Sequence, residues 1–472
     1  MVDGTVRTSA LAGSAVTPAW PIRTTGRHSV PRGTRRKLPM SAGEPSGGTL
    51  AVVGVAVALM ALVSPKGPGH TAPVDALMGL AIFAVFLWTL RSGPSLRAPY
   101  VIPTAVLVAV GLASAMLSTH PHAGAMAGIQ EVFLFLWCAA LATVCRTPRA
   151  LGVVLRTWAL SATAWAVLLV GAVVTGATAI SGTGPLGARA RLLFDHPNMA
   201  GNFFMIAVFI VVASGCPRRL WLRVLACLVL VSAMFLSGSN AALLSLIGGS
   251  VVALFLHLRA RRGIIRATAA TAMVVAVLGI GYVEVAQPLV TAAQQSENPL
   301  LRYSLGRADR SAEARGSLFE SQFELYQQGH LLGIGPASTL EALSSSAATT
   351  AKEAHNDYLA TLVERGPLGA LALAGLIGAI GIRAARVTAR PLPPRVAAAV
   401  PVPAAMVGAC AAFALTAVTH EVLHYRWFWM LLALLAALYL LTRPDPAEAG
   451  PGEVQAGALP GAGLVPVVPR VR

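Results

Sequence analysis

The chain has 472 residues, of which 56% are hydrophobic and only 12% are charged, and its mean hydropathy is +0.69. Soluble domains carry about a quarter charged residues, so this composition excludes an ordinary soluble enzyme and points to an all-α, polytopic integral membrane protein. The net charge of +17 does not read as a nucleic-acid surface, because most of the Arg falls in the tails and in short loops between apolar runs.

Residues 1–47 are rich in Ser, Thr, Pro, Gly and Arg, lack apolar periodicity, and read as a disordered basic cytoplasmic tail. The first apolar run begins too far along for a normal cleaved signal peptide. Apolar runs then recur near 49–64, 76–90, 100–117, 125–145, 157–175, 199–214, 220–236, 241–257, 267–285, 367–382, 396–418 and 426–442. At about 20 apolar residues per span, they predict about twelve transmembrane helices in a membrane domain at 48–442. Residues 443–472, rich in Pro and Gly, read as a second disordered cytoplasmic tail.

Orientation follows from where Arg falls. Alternate linkers hold Arg91 and Arg97; Arg146 and Arg149; Arg218, Arg219 and Arg223; Arg259, Arg261, Arg262 and Arg266; and Arg383, Arg386, Arg390 and Arg395. The intervening short linkers, such as STHPHAG and SGSN, are nearly free of Lys and Arg. Both termini are therefore expected inside, with the loops at 176–198 and 286–355 outside; long loops obey the charge rule poorly. In the large outer loop, RGSLFESQFELYQQG (315–329) spaces Phe319, Phe323 and Tyr326 as an amphipathic helix that lies on the membrane surface or caps a cavity. GIGP (333–336) then breaks it. The five Cys (138, 145, 216, 227, 410) show neither paired nor metal-ligand spacing.

Chemistry concentrates in AHNDYLATLVERGPLG (354–369), at the outer mouth of a span. Gly366-Pro367 should interrupt the helix that begins near His355, since proline disfavours helical backbone in the residue before it. Gly366 and Gly369 would permit close packing against a neighbouring span. Asn356 or Asp357 can also serve simply as a helix cap, so spacing alone leaves a catalytic and a structural reading open.

His-Asn, nine residues, Gly, two residues, Gly resembles the signature of the O-antigen ligase and O-antigen polymerase superfamily of membrane glycan transferases. Three further stretches agree in order. RARLLFDHPNMAGNFF (189–204) resembles the family's Asn-Pro-Asn-like segment, with His196 and Asn198 in it. ARGSLFESQFELYQQGHLLGIGPAS (314–338) resembles its Arg-led loop helix and Gly-x-Gly-Pro. HYRWFWMLLALL (424–435) resembles the aromatic start of its last span. The likeness covers residues 185–440.

The resemblance implies transfer of a glycan from a polyprenyl-diphosphate donor to a saccharide, lipid or wall-polymer acceptor hydroxyl, outside the membrane, with inversion and with no nucleotide, metal or other cofactor. His355 would be the base, Arg315 a clamp on the diphosphate, and Asn356 an orienting partner. The chemistry suits these groups: His titrates near neutrality, and Arg meets a diphosphate with paired hydrogen bonds. One departure stands out. The family usually carries Arg after a Thr/Ser-x-Ser stretch, whereas SGSNAALL places Asn240 there. Arg189 or Arg191, or else Arg302, Arg307 or Arg310, would then supply the missing charge; the alternative is different donor handling or lost activity. The Ala, Gly and Arg richness suggests a GC-rich bacterial genome, hence a bacterial inner (plasma) membrane.

Two rivals compete. His420-Glu421-Val422-Leu423-His424 reads as H-E-x-x-H, which on a helix binds zinc in metalloproteases, with His196, Asp195 or Asp357 as a possible third ligand. A transporter of lipid-linked saccharides would share the span number, but no internal repeat is evident. Glu131 is the main charge within a span; it either snorkels to the interface or faces a cavity.

Overall fold

The computed structural model describes residues 43–64, 71–183, 189–298, 301–302, 306, 308–328, 331–339, 342–343 and 356–443. All regular structure among them is helical: α1 (Gly47–Ala58), α2 (Pro73–Ser92), α3 (Val101–Leu117), α4 (Pro121–Val144), α5 (Pro148–Val174), α6 (Thr178–Ser181), α7 (Pro197–Ser214), α8 (Leu220–Leu236), α9 (Asn240–Arg262), α10 (Ile264–Gly281), α11 (Gln287–Gln295), α12 (Ala308–Gln328), α13 (Asp357–Ala389), α14 (Pro394–Ala399), α15 (Pro403–Ala417) and α16 (Arg426–Leu441). Seven helices are long and apolar enough to cross a membrane: α2, α4, α5, α7, α9, the continuous rod formed by α10 and α11, and α13. Five shorter apolar helices, α1, α3, α8, α15 and α16, accompany them among the described residues. Each predicted apolar run overlaps one of these elements.

Several boundaries differ, α5 beginning at Pro148 where its apolar run begins near 157, and two of the differences have identifiable reasons. The run at 396–418 is broken into α14 and α15, because Pro401 and Pro403 force Val400 and Val402 out of helical geometry. The run at 267–285 continues through a π-helical turn, Tyr282–Ala286, into α11, so the predicted outer loop begins only after Gln295.

Local chemistry starts and stops the helices. In α2, Pro73 occupies the first turn, the Asp75 carboxylate accepts from the Ala72 N–H at 2.8 Å, and Gly93 closes the far end at φ 70°. Helix α16 is apolar and buried on every side from Arg426 to Tyr439, as expected of a central helix. It packs against α4, α5, α13 and α15. Helix α7 is nearly as enclosed. Its Phe203 and Phe204 pack with Phe194 and Trp427 in tilted and edge-on pairs at 5.2–6.1 Å.

The most extensive helix contact, α9 on α15, depends on small residues. A Cβ on Gly249 would lie 2.5 Å from the Gly408 carbonyl oxygen, and the buried Ser245 and Thr416 hydroxyls are 2.9 Å apart. Close backbone approach of this kind substitutes for hydrophobic driving force between helices in lipid. Phe83, Phe86, Ile102, Trp221 and Ile265 point outward, and α10–α11 is almost wholly exposed. Such apolar surface suits a lipid face.

Candidate functional site

The N-terminus of α13 is built by its own sequence. The Asn356 Oδ1 accepts from the N–H groups of Tyr358 and Leu359 at 3.0 and 3.1 Å, a helix cap. The helix runs to Arg365, breaks at Gly366 (φ 62°, ψ −169°), and resumes at Pro367. The interruption expected at Gly366-Pro367 is therefore present. His355, the expected base, lies outside the described residues.

The glycines of this motif serve contacts other than those expected. Gly366 lies against the Leu331 carbonyl of the loop 331–339, and Gly369 makes room for the folded-back Arg365 side chain. The loop seals the break: Ile334 N–H donates to Val363 O and Gly335 N–H to Glu364 O, both at 3.0 Å. The Thr339 hydroxyl donates to Glu364 Oε1 and the Ser114 hydroxyl to Glu364 O, each at 2.8 Å. The G-x-G-P segment and the His-Asn segment, distant in sequence, thus form one unit.

Beneath that unit Arg365, almost fully buried, makes a two-pronged ion pair with Glu131 of α4, with Nη1 to Oε2 at 3.1 Å and Nη2 to Oε1 closer still. Glu131 is the counter-ion of a side chain 234 residues away. Helix α12 covers the expected stretch 315–329 as far as Gln328. Phe319 and Phe323 point outward while Gln322 is buried, an arrangement suited to a lipid-facing side. The backbone of Arg315 belongs to α12, but its side chain lies outside the described residues, as do Arg307 and the side chain of Arg310.

Asp357 links α13 to the loop before α16. Its buried Oδ2 accepts from the Val422 N–H at 2.7 Å and the Leu423 N–H at 3.2 Å. That loop carries His420-Glu421-Val422-Leu423-His424 in turns, not on a helix. The His420 Nδ1 lies 3.1 Å from the Thr419 hydroxyl, and its Nε2 bonds to Asn198 Nδ2. Asn198 Oδ1 accepts from Arg189 Nη2, and Arg189 Nε donates to Ser237 O at 2.8 Å. Ser237 opens the SGSN turn that ends in Asn240, the first residue of α9, capped by Ser239. A continuous path of bonds therefore joins Asn356-Asp357, the 420–424 loop, Asn198, Arg189 and the turn holding Asn240.

The remaining expected residues sit around this path. His196 Nδ1 accepts from the Asn198 N–H at 3.1 Å and caps α7; Arg191 is exposed and donates to Asp195 O at 3.1 Å. Arg302 is exposed. The H-E-x-x-H pair does not converge: His420 bonds to Asn198, while His424 packs edge-on against the Tyr425 ring at 4.7 Å. Among the described residues no three His, Cys, Asp or Glu side chains are grouped to hold a metal. Asn202 and Trp427 tie two of the motif stretches together, with Nε1 donating to Oδ1 at 2.7 Å. Arg426, at the mouth of α16, is clamped by both oxygens of Asp75.

Below Asp357 and Tyr358 an apolar cavity of ≈ 70 Å³ runs between α13, α15 and α16, with Leu376, Ile380 and Phe413 on its walls. Sequence reasoning left Asp357 as no more than a cap or a metal ligand and did not pair Glu131 with Arg365. The available signal was a second acid directly after His-Asn and a lone Arg within an apolar stretch.

Residues 225–374 match the family model described as O-antigen ligase. The match spans Asn240, Arg315, His355, Gly366 and Gly369, and stops short of both Arg189–Phe204 and the 420–435 stretch. No curated protein matches the chain.

Proposed function

We propose, from the match of residues 225–374 to the O-antigen ligase family model, that the chain is a membrane glycosyltransferase of the O-antigen ligase/polymerase superfamily. It transfers a polyprenyl-diphosphate-linked glycan to an acceptor hydroxyl on the extracytoplasmic side, in cell-surface polysaccharide biosynthesis. The observation that carries this reading is the bonded path from Asn356-Asp357 through the 420–424 loop to Asn198 and Arg189. It gathers polar residues from three separate segments at the mouth of an apolar cavity.

In this reading His355 removes the proton of the acceptor hydroxyl as its oxygen attacks the anomeric carbon. The bond from that carbon to the diphosphate oxygen breaks, and polyprenyl diphosphate leaves with the negative charge. Cationic donors aimed at that charge lower the barrier more than any other single contribution in such sites. Arg315 is assigned this role by the family motif. Arg189 supplies the second charge, because its guanidinium is already bonded to the turn in which Asn240 stands where the family has Arg. Arg191, exposed beside it, is available to the same anion. The apolar cavity below Asp357 is of the right chemistry for the first isoprene units of the carrier. The Arg-rich ends of the helices face the cytoplasm, in keeping with the charge rule.

The test is transfer of a radiolabelled polyprenyl-diphosphate glycan by purified protein, comparing the unaltered chain with His355→Ala and Glu421→Ala, each with and without chelator. Transfer that resists chelator, survives Glu421→Ala and is lost in His355→Ala is the expected result. Activity abolished by chelator and by Glu421→Ala, but not by His355→Ala, would overturn the reading in favour of a metalloenzyme.

A further inference from the structure

A second cavity, of ≈ 240 Å³, lies at the opposite end of α13 and α16 from Asp357. Arg97 from the α2–α3 linker, Arg383 near the end of α13, and Arg443 just after α16 all line it, with Tyr439. No Asp or Glu side chain does so among the described residues.

These arginines are held in place. The Arg383 guanidinium lies over the Tyr100 ring, 4.3 Å from its centroid, and 5.7 Å from that of Tyr439. Arg386 and Arg443 both donate to the Tyr439 hydroxyl, at 2.6 Å each. The backbone of Arg97 is fixed to α4, its N–H donating to Thr143 Oγ1 at 2.9 Å. The Arg97 Nη1 is buried and has no acceptor within reach among the described residues. Burial, and to a lesser degree the neighbouring Arg146 guanidinium, push the Arg97 guanidinium below its ordinary value.

A positive end on a membrane helix bundle needs only arginines in water, and Arg390 and Arg395 are exposed in that way. Drawing the half-buried Arg97 and Arg383 guanidinium groups toward the exposed Arg443, around a cavity with no carboxylate among the described residues, is costly unless an anion compensates them. The planar donor fork of Arg matches phosphate oxygens two at a time. Basic pockets between spans near the ends of membrane helices suit lipid headgroups.

We propose that the cavity lined by Arg97, Arg383 and Arg443 is a binding site for a phosphate-bearing anion, the headgroup of an anionic lipid or a soluble phosphate compound. The site is independent of the transfer chemistry, which lies at the other end of the helices.

The experiment uses the full chain in neutral detergent, with phosphatidylglycerol, phosphatidylcholine or inorganic pyrophosphate added. Retained lipid is read by native mass spectrometry and binding by the thermal unfolding midpoint. Phosphatidylglycerol is expected to bind and stabilise, with pyrophosphate competing, and phosphatidylcholine to do neither. Arg97→Gln and Arg443→Gln should each weaken binding roughly tenfold, on the scale of losing one charge-assisted phosphate contact, while Arg395→Gln leaves it unchanged. Pyrophosphate binding without phosphatidylglycerol binding would support the site with a soluble ligand. The proposal is overturned if the two lipids bind equally, or if Arg97→Gln and Arg443→Gln bind like the unaltered chain. It is also overturned if binding appears only when Asp445 and Glu448 are neutralised together, which would make the chain's own tail the occupant. Should the variants not fold, competition between pyrophosphate and phosphatidylglycerol is read on the unaltered chain and on Arg189→Gln, and its loss in Arg189→Gln would place the binding at the other end of the helices and overturn the proposal.

Discussion

The buried carboxylate of Asp357 holds the backbone N–H groups of Val422 and Leu423, 2.7 and 3.2 Å away, and so fixes the loop before the central helix to the start of α13. One side chain thereby sets the distance between the His-Asn segment and the 420–424 loop. Asp357→Ala leaves two N–H groups without an acceptor, a loss of about 1–3 kcal/mol per unsatisfied group. Transfer should fall with it. Asp357→Asn retains an acceptor oxygen of the same reach and should keep most of the stability. Thermal unfolding of the two variants beside the transfer assay checks this; equal losses for Ala and Asn would show that the charge, and not the bonding, is what counts.

The Glu131–Arg365 pair makes a different claim. Breaking a buried pair from one side costs about 3–5 kcal/mol, because the other charge is left without compensation. Glu131→Gln and Arg365→Gln should each destabilise strongly, and the double variant should recover much of the loss. A double-mutant cycle in detergent measures the coupling. Simple additivity of the two losses would mean that the charges do not depend on each other.

How much of this was legible in the sequence divides along physical lines. Helices announced by composition were, because an apolar run long enough to span lipid has few alternatives. The break at Gly366-Pro367 was also legible, since it follows from the local sterics of proline. Pairings between distant residues were not. Nothing local in Glu131 names Arg365, and nothing in Asn198 names His420; only the packing of α3 against α4 and α13, and of α7 against α15, brings them together. The nearest neighbour of Gly366, the Leu331 carbonyl of a distant loop, was hidden for the same reason. His355 and the Arg315 side chain lie outside the described residues, so their roles rest on the motif.

The docking of the 331–339 loop can be tested through its glycines. Gly366 has φ 62° and sits against the Leu331 carbonyl, and Gly333, at φ 75°, sits against the backbone of Val363 and Glu364. A Cβ at either position meets both backbone strain and a fixed neighbour, with a strain cost of order 1–3 kcal/mol. Gly366→Ala and Gly333→Ala should lower the unfolding midpoint and expose the 331–339 loop to protease. Gly378→Ala is the matched control: its Cβ would meet nothing within 4 Å, and in a helix interior the change should stabilise by about 0.5–1 kcal/mol. A loop equally protected in all three variants would show that the glycine contacts do not hold it.

The most direct test of the proposed site concerns which residue supplies the second positive charge. Asn240 brings no positive charge to a diphosphate, whereas Arg189 is bonded through Nε to Ser237 O in the same turn. If Arg189 has taken over the anion, Arg189→Gln should lower transfer by about 10²–10³, the usual loss for one donor aimed at developing charge. Asn198 keeps a path to His420 in that variant, so the fold should survive, which the unfolding midpoint checks. Asn240→Arg in the Arg189→Gln background should then restore a large part of the rate, because the guanidinium returns at the family's own position. Asn240→Arg alone should do little, since the charge is already supplied. A rescue requires that the two positions serve one anion. If Arg189→Gln is inert while Asn240→Arg raises the rate of the otherwise unaltered chain, the charge has been lost and not replaced, and Arg189 is a structural tie between α7 and the SGSN turn.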